Sequence, residues 1–550
     1  MKTWQMYLLI VVLSFLPLIS IFVNPQLPHT SDGAMHAIRF VSYYKEIVEG
    51  QFPVRWTGQF HYGYGTTLFN FVYPLPYFVA FPFIAVGMSP VLTLKLSFAL
   101  TYILAGVGMY LFASRFFKDM RVAFFVTILY QFAPFRLVEM LVRGNLGALY
   151  AYAIIPFLFF SIIYFLEKRT YLSWLLITIS VSLITLSHTI MGFAFLALSG
   201  VFVLINTRKI KEILLTYSAF LKGIAASAFF IIPAILEQKY TNGFLFTKDL
   251  FYHHFPSLKA LFSPNFTNAE SLRVAEVSVQ IGLFHVLTLV LAVFLLLRKK
   301  YKLETKLMIG FLFIATFGTI VFMQPISEPL WEKITFIRQF QYPWRFVGIL
   351  TFTTALLGAY VLRDILFLKN RSVFIALSIL IIGSTVYYWR PLQGFQSFDR
   401  AFYWEYPLTT NYFSEVNTIW MAEEPTDYPA KRTEVIGGEA RILSADRKST
   451  MHTYEIEAET PAIVLDRTYF FPGWKVFVDG KETPIQFQDP AYAGMITFQV
   501  PEGKHTVVVQ FEQSKIQQAG NMISLGTLTV LAAVAVALYR RQRKPIFQKS

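Results

Sequence analysis

The sequence contains no cysteine. That excludes a disulfide framework, a thiol nucleophile and a Cys-ligated metal. It leaves the compartment open, because a cysteine-free chain fits either side of a membrane. Charge is scarce as well, at 15% of residues where a soluble domain carries about 25%. No GxxxxGK[ST] loop, no GxGxxG after a strand and no HExxH is present, so nothing calls for a nucleotide cofactor. What the 550 residues do hold is apolar: 55% hydrophobic and 17% aromatic, with a mean hydropathy of +0.50. Such a chain has too little polar surface for water, and a bilayer is its natural solvent.

The net charge of +15 does not point to nucleic acid. The Lys and Arg residues fall in short clusters between apolar runs, as in Arg298-Lys299-Lys300-Tyr301-Lys302 and Arg540-Arg541-Gln542-Arg543-Lys544, where the positive-inside rule places them. The first apolar run, Met6 to Val23, ends in Ile21-Phe22-Val23-Asn24-Pro25 without a small-x-small cleavage site. It reads as an uncleaved first helix.

A spanning helix needs about 20 mostly apolar residues. Candidate spans lie near 6–23, 67–87, 91–114, 121–135, 146–166, 171–187, 189–206, 213–236, 278–297, 306–323, 345–362, 373–389 and 518–539. The expected architecture is a polytopic α-helical membrane domain over 1–390, with a first outside loop at 24–66. A β-rich extracytoplasmic domain at 391–517 and a final helix with a basic cytoplasmic tail at 518–550 follow it.

Orientation follows from the basic tail, taken as cytoplasmic. The basic loops at 363–371, 298–302, 208–211 and 167–169 then fall inside. Residues 324–344, 237–277, His188 and 136–145 fall outside. One conflict remains: two crossings between 67 and 114 would put the basic stretch 115–121 outside. Pro74, Pro76 and Pro82 mark 67–87 as the irregular segment, since proline removes a helical hydrogen bond.

The stretch 390–517 changes texture. Thr453–Ala458 and Thr506–Phe511 alternate with period two, as strands do. Trp474–Val478, Asp479-Gly480 and Lys481–Gln486 read as a hairpin with a type I′ turn. A small β-sandwich is the simplest closure.

Chemistry concentrates outside. If 32–49 is helical, Asp32, His36, Arg39 and Tyr43 share one face and Met35, Ile38, Ile47 and Val48 the other. That fits an amphipathic helix lying on the membrane. Asp32 could merely cap it, or Asp32 and His36 could act as general base and metal ligand. At 136–145, Arg136, Glu139 and Arg143 are either a Glu–Arg pair with a snorkelling arginine or a working cluster. His188 stands alone between two apolar runs. Arg338 and Arg345 flank Gln341-Tyr342-Pro343-Trp344, where they could clamp a phosphate or sit in an ordinary aromatic belt.

These blocks carry a resemblance. Asp32-Gly33-x-x-His36, Gly50-x-x-Pro53-x-Arg55-Trp56, Gly63-Tyr64-Gly65, Tyr73-Pro74-Leu75-Pro76-Tyr77, Phe132-Ala133-Pro134-Phe135-Arg136, Arg143-Gly144, Leu186-Ser187-His188-Thr189 and Gln341-Tyr342-Pro343-Trp344-Arg345-Phe346 resemble the 6-pyruvoyl-tetrahydropterin-synthase-related membrane domain. That region is similar to GT-C glycosyltransferases, which use polyprenyl-phosphate sugars on the outer face. Tyr469–Gly480 and Pro501–Thr506 resemble the C-terminal region of YfhO-like membrane proteins.

The resemblance implies transfer of a sugar from a polyprenyl-phosphate donor to a glycan, lipid or protein acceptor. Asp32 and His36 would be the catalytic pair and tentative ligands of a divalent cation such as Mg or Mn. Arg39, Arg55, Arg143, His188, Arg338, Gln341 and Arg345 would bind donor phosphate or acceptor. The acid that such families often carry shortly after the Arg-Gly pair is missing from Asn145-Leu146-Gly147-Ala148, and Glu139 is the candidate substitute. Two other classes stay open: a transporter or flippase of lipid-linked glycans, and a structural assembly protein of the cell envelope.

Overall fold

The computed structural model describes residues 3–243, 248–264, 278–406, 408 and 414–542. Lys2, the side chains of the basic tail, and residues 244–247 and 265–277 of the predicted outside stretch lie outside the described residues.

Among the described residues, 8 helices are long and apolar enough to cross a membrane, or up to 10 if each bent pair is one span. The pairs are Met120–Gln131 with Pro134–Arg143, bent by 48°, and Ile210–Ala226 with Ala228–Leu236, bent by 71°. The first break falls at Pro134, which has no N–H to continue the helical ladder. Three shorter apolar helices, Leu75–Ala85, Tyr171–Ser187 and Leu283–Arg298, complete the set. Every predicted run coincides with one of these helices or pairs.

The run at 67–87 is corrected. Only Leu75–Ala85 is a sustained helix there, and it has 11 residues. At 1.5 Å per residue it rises about 16 Å, about half of a hydrocarbon core of roughly 30 Å. It is too short to cross alone, and without that crossing the basic stretch at 115–121 joins the other basic loops. Ion pairs agree: Arg115 meets Glu167 at 2.5 Å and Arg169 meets Glu212 at 2.6 Å, while Lys299 pairs with Asp364. Phe117 packs edge-on against Tyr360 at 5.7 Å. These loops therefore gather at one end of the bundle.

At the other end stands the β-rich domain. One antiparallel sheet orders Ala440–Arg447, Met451–Ala458, Gly503–Phe511, Trp474–Val478 and Lys481–Thr483; the other orders Thr433–Gly437, Ala462–Tyr469 and Met495–Val500. Alternation does the sorting: Tyr454, Ile456, Val476, Val507 and Val509 point inward and meet Val464 and Phe498 of the second sheet. The predicted hairpin forms, with φ of 49° at Asp479 and 77° at Gly480, as a type I′ turn requires. Its second strand is shorter than predicted and stops at Thr483.

The sandwich core is not built from the domain alone. Trp56 and Tyr64 of the first loop belong to it. Trp56 lies 5.3 Å from Trp474 and 5.7 Å from Phe511, and Tyr64 stacks on Tyr469 at 5.3 Å. Gly65, at φ +83°, lets Trp56 lie against the backbone: a Cβ there would come within 2.4 Å of the indole. A further two-residue strand pairing joins Leu27–Pro28 to Phe395–Gln396. The first loop and the C-terminal domain are one packed unit.

Candidate active site

The predicted helix at 32–49 forms as Gly33–Val48. It is not a surface helix, however. Its supposed lipid-facing residue Ile38 is 1% exposed, and Met35 lines the same cavity as Asp32, His36 and Arg39. Helices Leu75–Ala85, Pro90–Phe117 and Arg400–Trp404 pack against it, and of its four apolar-face residues only Val48, in the last turn, is exposed. Asp32 stands at the N-cap but its side chain makes no capping bond. The Gly33 amide donates to Thr30 Oγ1 instead.

The broken span explains the Arg-Gly pair. Residues Glu139–Arg143 form a π-turn, a feature that often marks functional sites. It ends at Gly144 with φ +70°. The first loop lies directly on this turn: the Ser31 amide donates to the Val142 carbonyl at 3.0 Å and the Asp32 amide to the Arg143 carbonyl at 2.7 Å. A Cβ on Gly144 would meet Thr30 Oγ1 at 2.3 Å, and one on Gly33 would meet the same atom at 2.4 Å. Both glycines are needed for the approach.

The result is a cavity of about 450 Å³ between the helical bundle and the C-terminal domain. Its wall includes Asp32, His36, Arg39, Arg143, His188, Gln341 and Arg345, seven of the sequence-predicted residues. Arg143 is held by both Glu139 oxygens, at 2.8 and 3.0 Å, and its guanidinium lies 4.7 Å from the Trp344 ring. Arg345 lies 4.6 Å from the Tyr342 ring and donates to the Phe340 carbonyl at 3.1 Å. Its Nε is buried without a hydrogen-bond partner among the described residues. The two guanidiniums act on each other as like charges, and Asp32 acts on Arg143 as an opposite one. Two repelling cations with donors to spare suit a phosphate.

The histidines are both buried. Burial, then Arg39, holds the His36 imidazole well below its usual range, so it is neutral at physiological pH. Its Nδ1 lies 3.2 Å from the Tyr77 hydroxyl. Burial, Arg345 and Arg143 lower His188 in the same way. The His188 Nδ1 accepts the Met191 amide at 3.4 Å, which leaves Nε2–H as the donor. Tyr73 stacks on His188 at 5.5 Å and packs across Gly147, where a Cβ would meet its ring at 2.3 Å.

Three predicted residues do not line the cavity. Arg55 is 2% exposed and donates to Asn70, the Phe229 carbonyl and Asn521. It ties the first loop to the last helix, where Glu237 accepts from Asn70, Ser514 and Gln517. Arg338 bonds back to the carbonyls of Trp331 and Glu332. Glu139 acts through Arg143. Arg136 does not snorkel: it is 1% exposed and lies 4.3 Å from the Tyr130 ring, with Tyr102 and Tyr152 beyond.

Other lining residues had no role in the sequence reading. Tyr73 opens one of the quoted motifs and Asn145 follows another, but Gln238, Thr241, Gln339 and Glu415 carry no local signal. Glu415 arrives from the C-terminal domain. Its segment is bonded to the bundle side through Asn242 N–H to the Asn417 carbonyl at 2.9 Å and Ile419 N–H to the Tyr240 carbonyl at 3.1 Å. Among the described residues no three His, Asp or Glu groups cluster to hold a metal. A hard cation keeps several waters and takes one or two carboxylates plus phosphate. Asp32 meets that donor set; His36, engaged with Tyr77, meets it poorly.

The fold and site define a multi-pass membrane protein with a cavity, lined in part by charged side chains, under a packed β-domain. The chain belongs to the family described as 6-pyruvoyl-tetrahydropterin synthase related domain, a membrane protein, which matches residues 69–392. No curated protein matches the sequence. Among solved structures it is similar to the Archaeoglobus fulgidus oligosaccharyltransferase, with a TM-score of 0.46 and 13% identity over 72% of this chain and 57% of that one. It is also similar to the arabinofuranosyltransferase AftD from Mycobacteria, with a TM-score of 0.43 and 15% identity over 68% of this chain and 26% of that one. The chain thus spans about a quarter to three-fifths of the length of these proteins.

Proposed function

We propose that the protein is a membrane glycosyltransferase that moves a sugar from a polyprenyl-phosphate donor to an acceptor hydroxyl or amide at the outer face. The observation that carries this reading is that Asp32, Arg143, Arg345 and His188 line one cavity. A carboxylate opposite two guanidiniums is what displacement of a phosphate leaving group needs.

In the proposed step the Asp32 carboxylate accepts the acceptor's proton as its oxygen or nitrogen attacks the anomeric carbon. The bond from that carbon to the phosphate oxygen breaks with inversion, and the lipid phosphate leaves with the electron pair. Arg143 and Arg345 stabilise its growing charge, more strongly in a partly dry cavity than in water. Neutral His188 donates from Nε2 to the phosphate or the acceptor, and Arg39 and Gln341 complete the polar wall. A divalent cation held at Asp32 would supply further charge neutralisation at the phosphate.

The test is transfer from radiolabelled polyprenyl-phosphate sugars by membranes containing the full chain. Asp32→Asn should abolish it with the protein still inserted. Unchanged transfer by that variant would remove Asp32 as the base. Translocation of labelled lipid without transfer would favour a flippase instead.

A further inference from the structure

The ribbon that brings Glu415 to the cavity carries a second feature. Thr241 and Thr418 form an antiparallel bridge within it. Gln238, Thr241 and Glu415 line the cavity, and beside them on the same two segments stand Tyr240 and Trp420. These two rings stack at 5.8 Å with 27° between their planes. Trp420 also meets Phe470 at 5.4 Å and Phe487 at 5.0 Å, both edge-on, and Phe470 stacks on Phe487 at 3.8 Å.

Core packing does not account for all of this cluster. Tyr240 and Phe470 pack on the sandwich, but Trp420 and Phe487 belong to neither hydrophobic core among the described residues, and both are half-buried. The flanking Gln486 and Gln488 are exposed. Gly494, at φ +82°, keeps its loop close to Trp420, whose carbonyl would lie 3.0 Å from a Cβ there. The cavity wall also changes character toward the ribbon. Its arginines come from other segments, whereas 230–250 and 415–416 add no Lys or Arg to the lining. They add Gln238, Thr241 and Glu415, and the Gln238 amide donates to Gln339 at 3.3 Å. Amides, a hydroxyl and a carboxylate pair with neutral hydroxyls, while guanidiniums suit phosphate.

We infer that this ribbon is an acceptor subsite for an oligosaccharide. One sugar ring has its hydroxyls read in the cavity by Gln238, Thr241 and Glu415, and a following ring lies against Trp420 and Phe487 outside. The inference rests on the transferase reading and chooses among the acceptor classes that it leaves open. A sugar ring has a weakly apolar C–H face and an edge of hydroxyls. Half-buried aromatic rings flanked by amides match the first with the second. A lipid acceptor would need a carbon-lined path from the cavity, and Gln238 and Thr241 interrupt one.

The experiment is saturation-transfer NMR on the full chain in nanodiscs, which needs no turnover. The probes are linear tetrasaccharides of glucose, mannose and N-acetylglucosamine, each beside its monosaccharide. At least one tetrasaccharide should bind about tenfold more tightly than its monosaccharide, with saturation strongest on ring C–H protons. Trp420→Ala should weaken that binding about tenfold, the size expected for one lost ring contact. Trp420→Phe, which keeps a ring, should restore most of it. Phe487→Ala is the second variant, and unchanged melting temperatures would separate lost contact from lost fold. Binding of none of the three tetrasaccharides would overturn the inference, as would binding indifferent to both alanine variants. Transfer to a peptide or lipid acceptor at a rate unaffected by Trp420→Ala would also overturn it and leave the transferase standing. Saccharide binding that depends on Trp420, without transfer from any polyprenyl-phosphate sugar, would instead sink the transferase reading and leave the saccharide site in place.

Discussion

The Asp32 amide donates to the Arg143 carbonyl at 2.7 Å. The proposed base and one half of the proposed phosphate clamp are thereby spaced by a backbone contact, though they lie on different elements far apart in the chain. That contact depends on glycine.

Gly144→Ala should therefore damage catalysis without touching a reacting group. Its φ of +70° costs a non-glycine residue about 1–2 kcal/mol, and the new methyl would displace Thr30. A shift of about 1 Å at Asp32 is expected to slow transfer roughly 10²-fold. Expression and insertion of the variant should match wild type, and a normal rate in the transfer assay would show that the approach is not needed.

Arg345→Ala should lower kcat by about 10²–10³, the range for removing one preorganised group that stabilises developing charge. Glu139→Gln should act on the same step by releasing Arg143. Combined with Arg143→Ala it should add little, because Glu139 works through that guanidinium. Additive losses in that double-mutant cycle would give Glu139 a separate role.

Arg55→Met separates scaffold from site. The buried Arg55–Asn70–Glu237 network joins three parts of the chain, and removing one charged partner costs on the order of 3–5 kcal/mol. The expected result is a lower melting temperature and yield, with KM for the donor unchanged in the folded fraction. A selective rise in donor KM at normal stability would return Arg55 to the binding site.

Glu46 should make the docking of the first loop onto the C-terminal domain pH-dependent. Burial pushes its carboxyl from 4.5 up to about 8, with Glu49 adding to the shift and bonds from Ser449, Thr57 and Gly58 opposing it. A carboxyl raised on folding binds its proton more tightly in the folded state. Its stabilising contribution is full below pH 4.5 and is lost as pH rises through about 8. Thermal stability should fall between about pH 4.5 and 8, level off above that, and flatten in Glu46→Gln; an unchanged slope in that variant would assign the effect elsewhere.

Much of the fold was legible because its signals are local. Apolar runs of spanning length, the period-two strands and the Asp479-Gly480 turn each rest on neighbouring residues, and each matches an element in the structure. The weak point was also visible locally: the prolines at 74, 76 and 82 marked the run that proves too short to cross. Seven of the candidate site residues share one cavity because their motifs sit at helix ends on one side of the bundle.

The failures are equally physical. A helix pattern records which residues differ, not what packs on them, so Gly33–Val48 read as a surface helix although three other helices pack against it and bury most of its length. Arg55 and Arg338 look like phosphate ligands in sequence, yet Arg55 is engaged by Asn70, the Phe229 carbonyl and Asn521 from distant segments, and Arg338 by the nearby carbonyls of Trp331 and Glu332. Glu415 had no signal, since nothing around it says that its turn segment is tied to Tyr240–Asn242 by backbone hydrogen bonds and one isolated bridge. Composition and periodicity alone determined that this is a multi-pass membrane chain with a β-rich domain before its last helix. Only the tertiary structure decided that Trp56 completes that domain's core and that Asp32 shares a cavity with two arginines. Such pairings depend on long-range packing, which local patterns of apolar and polar residues do not encode.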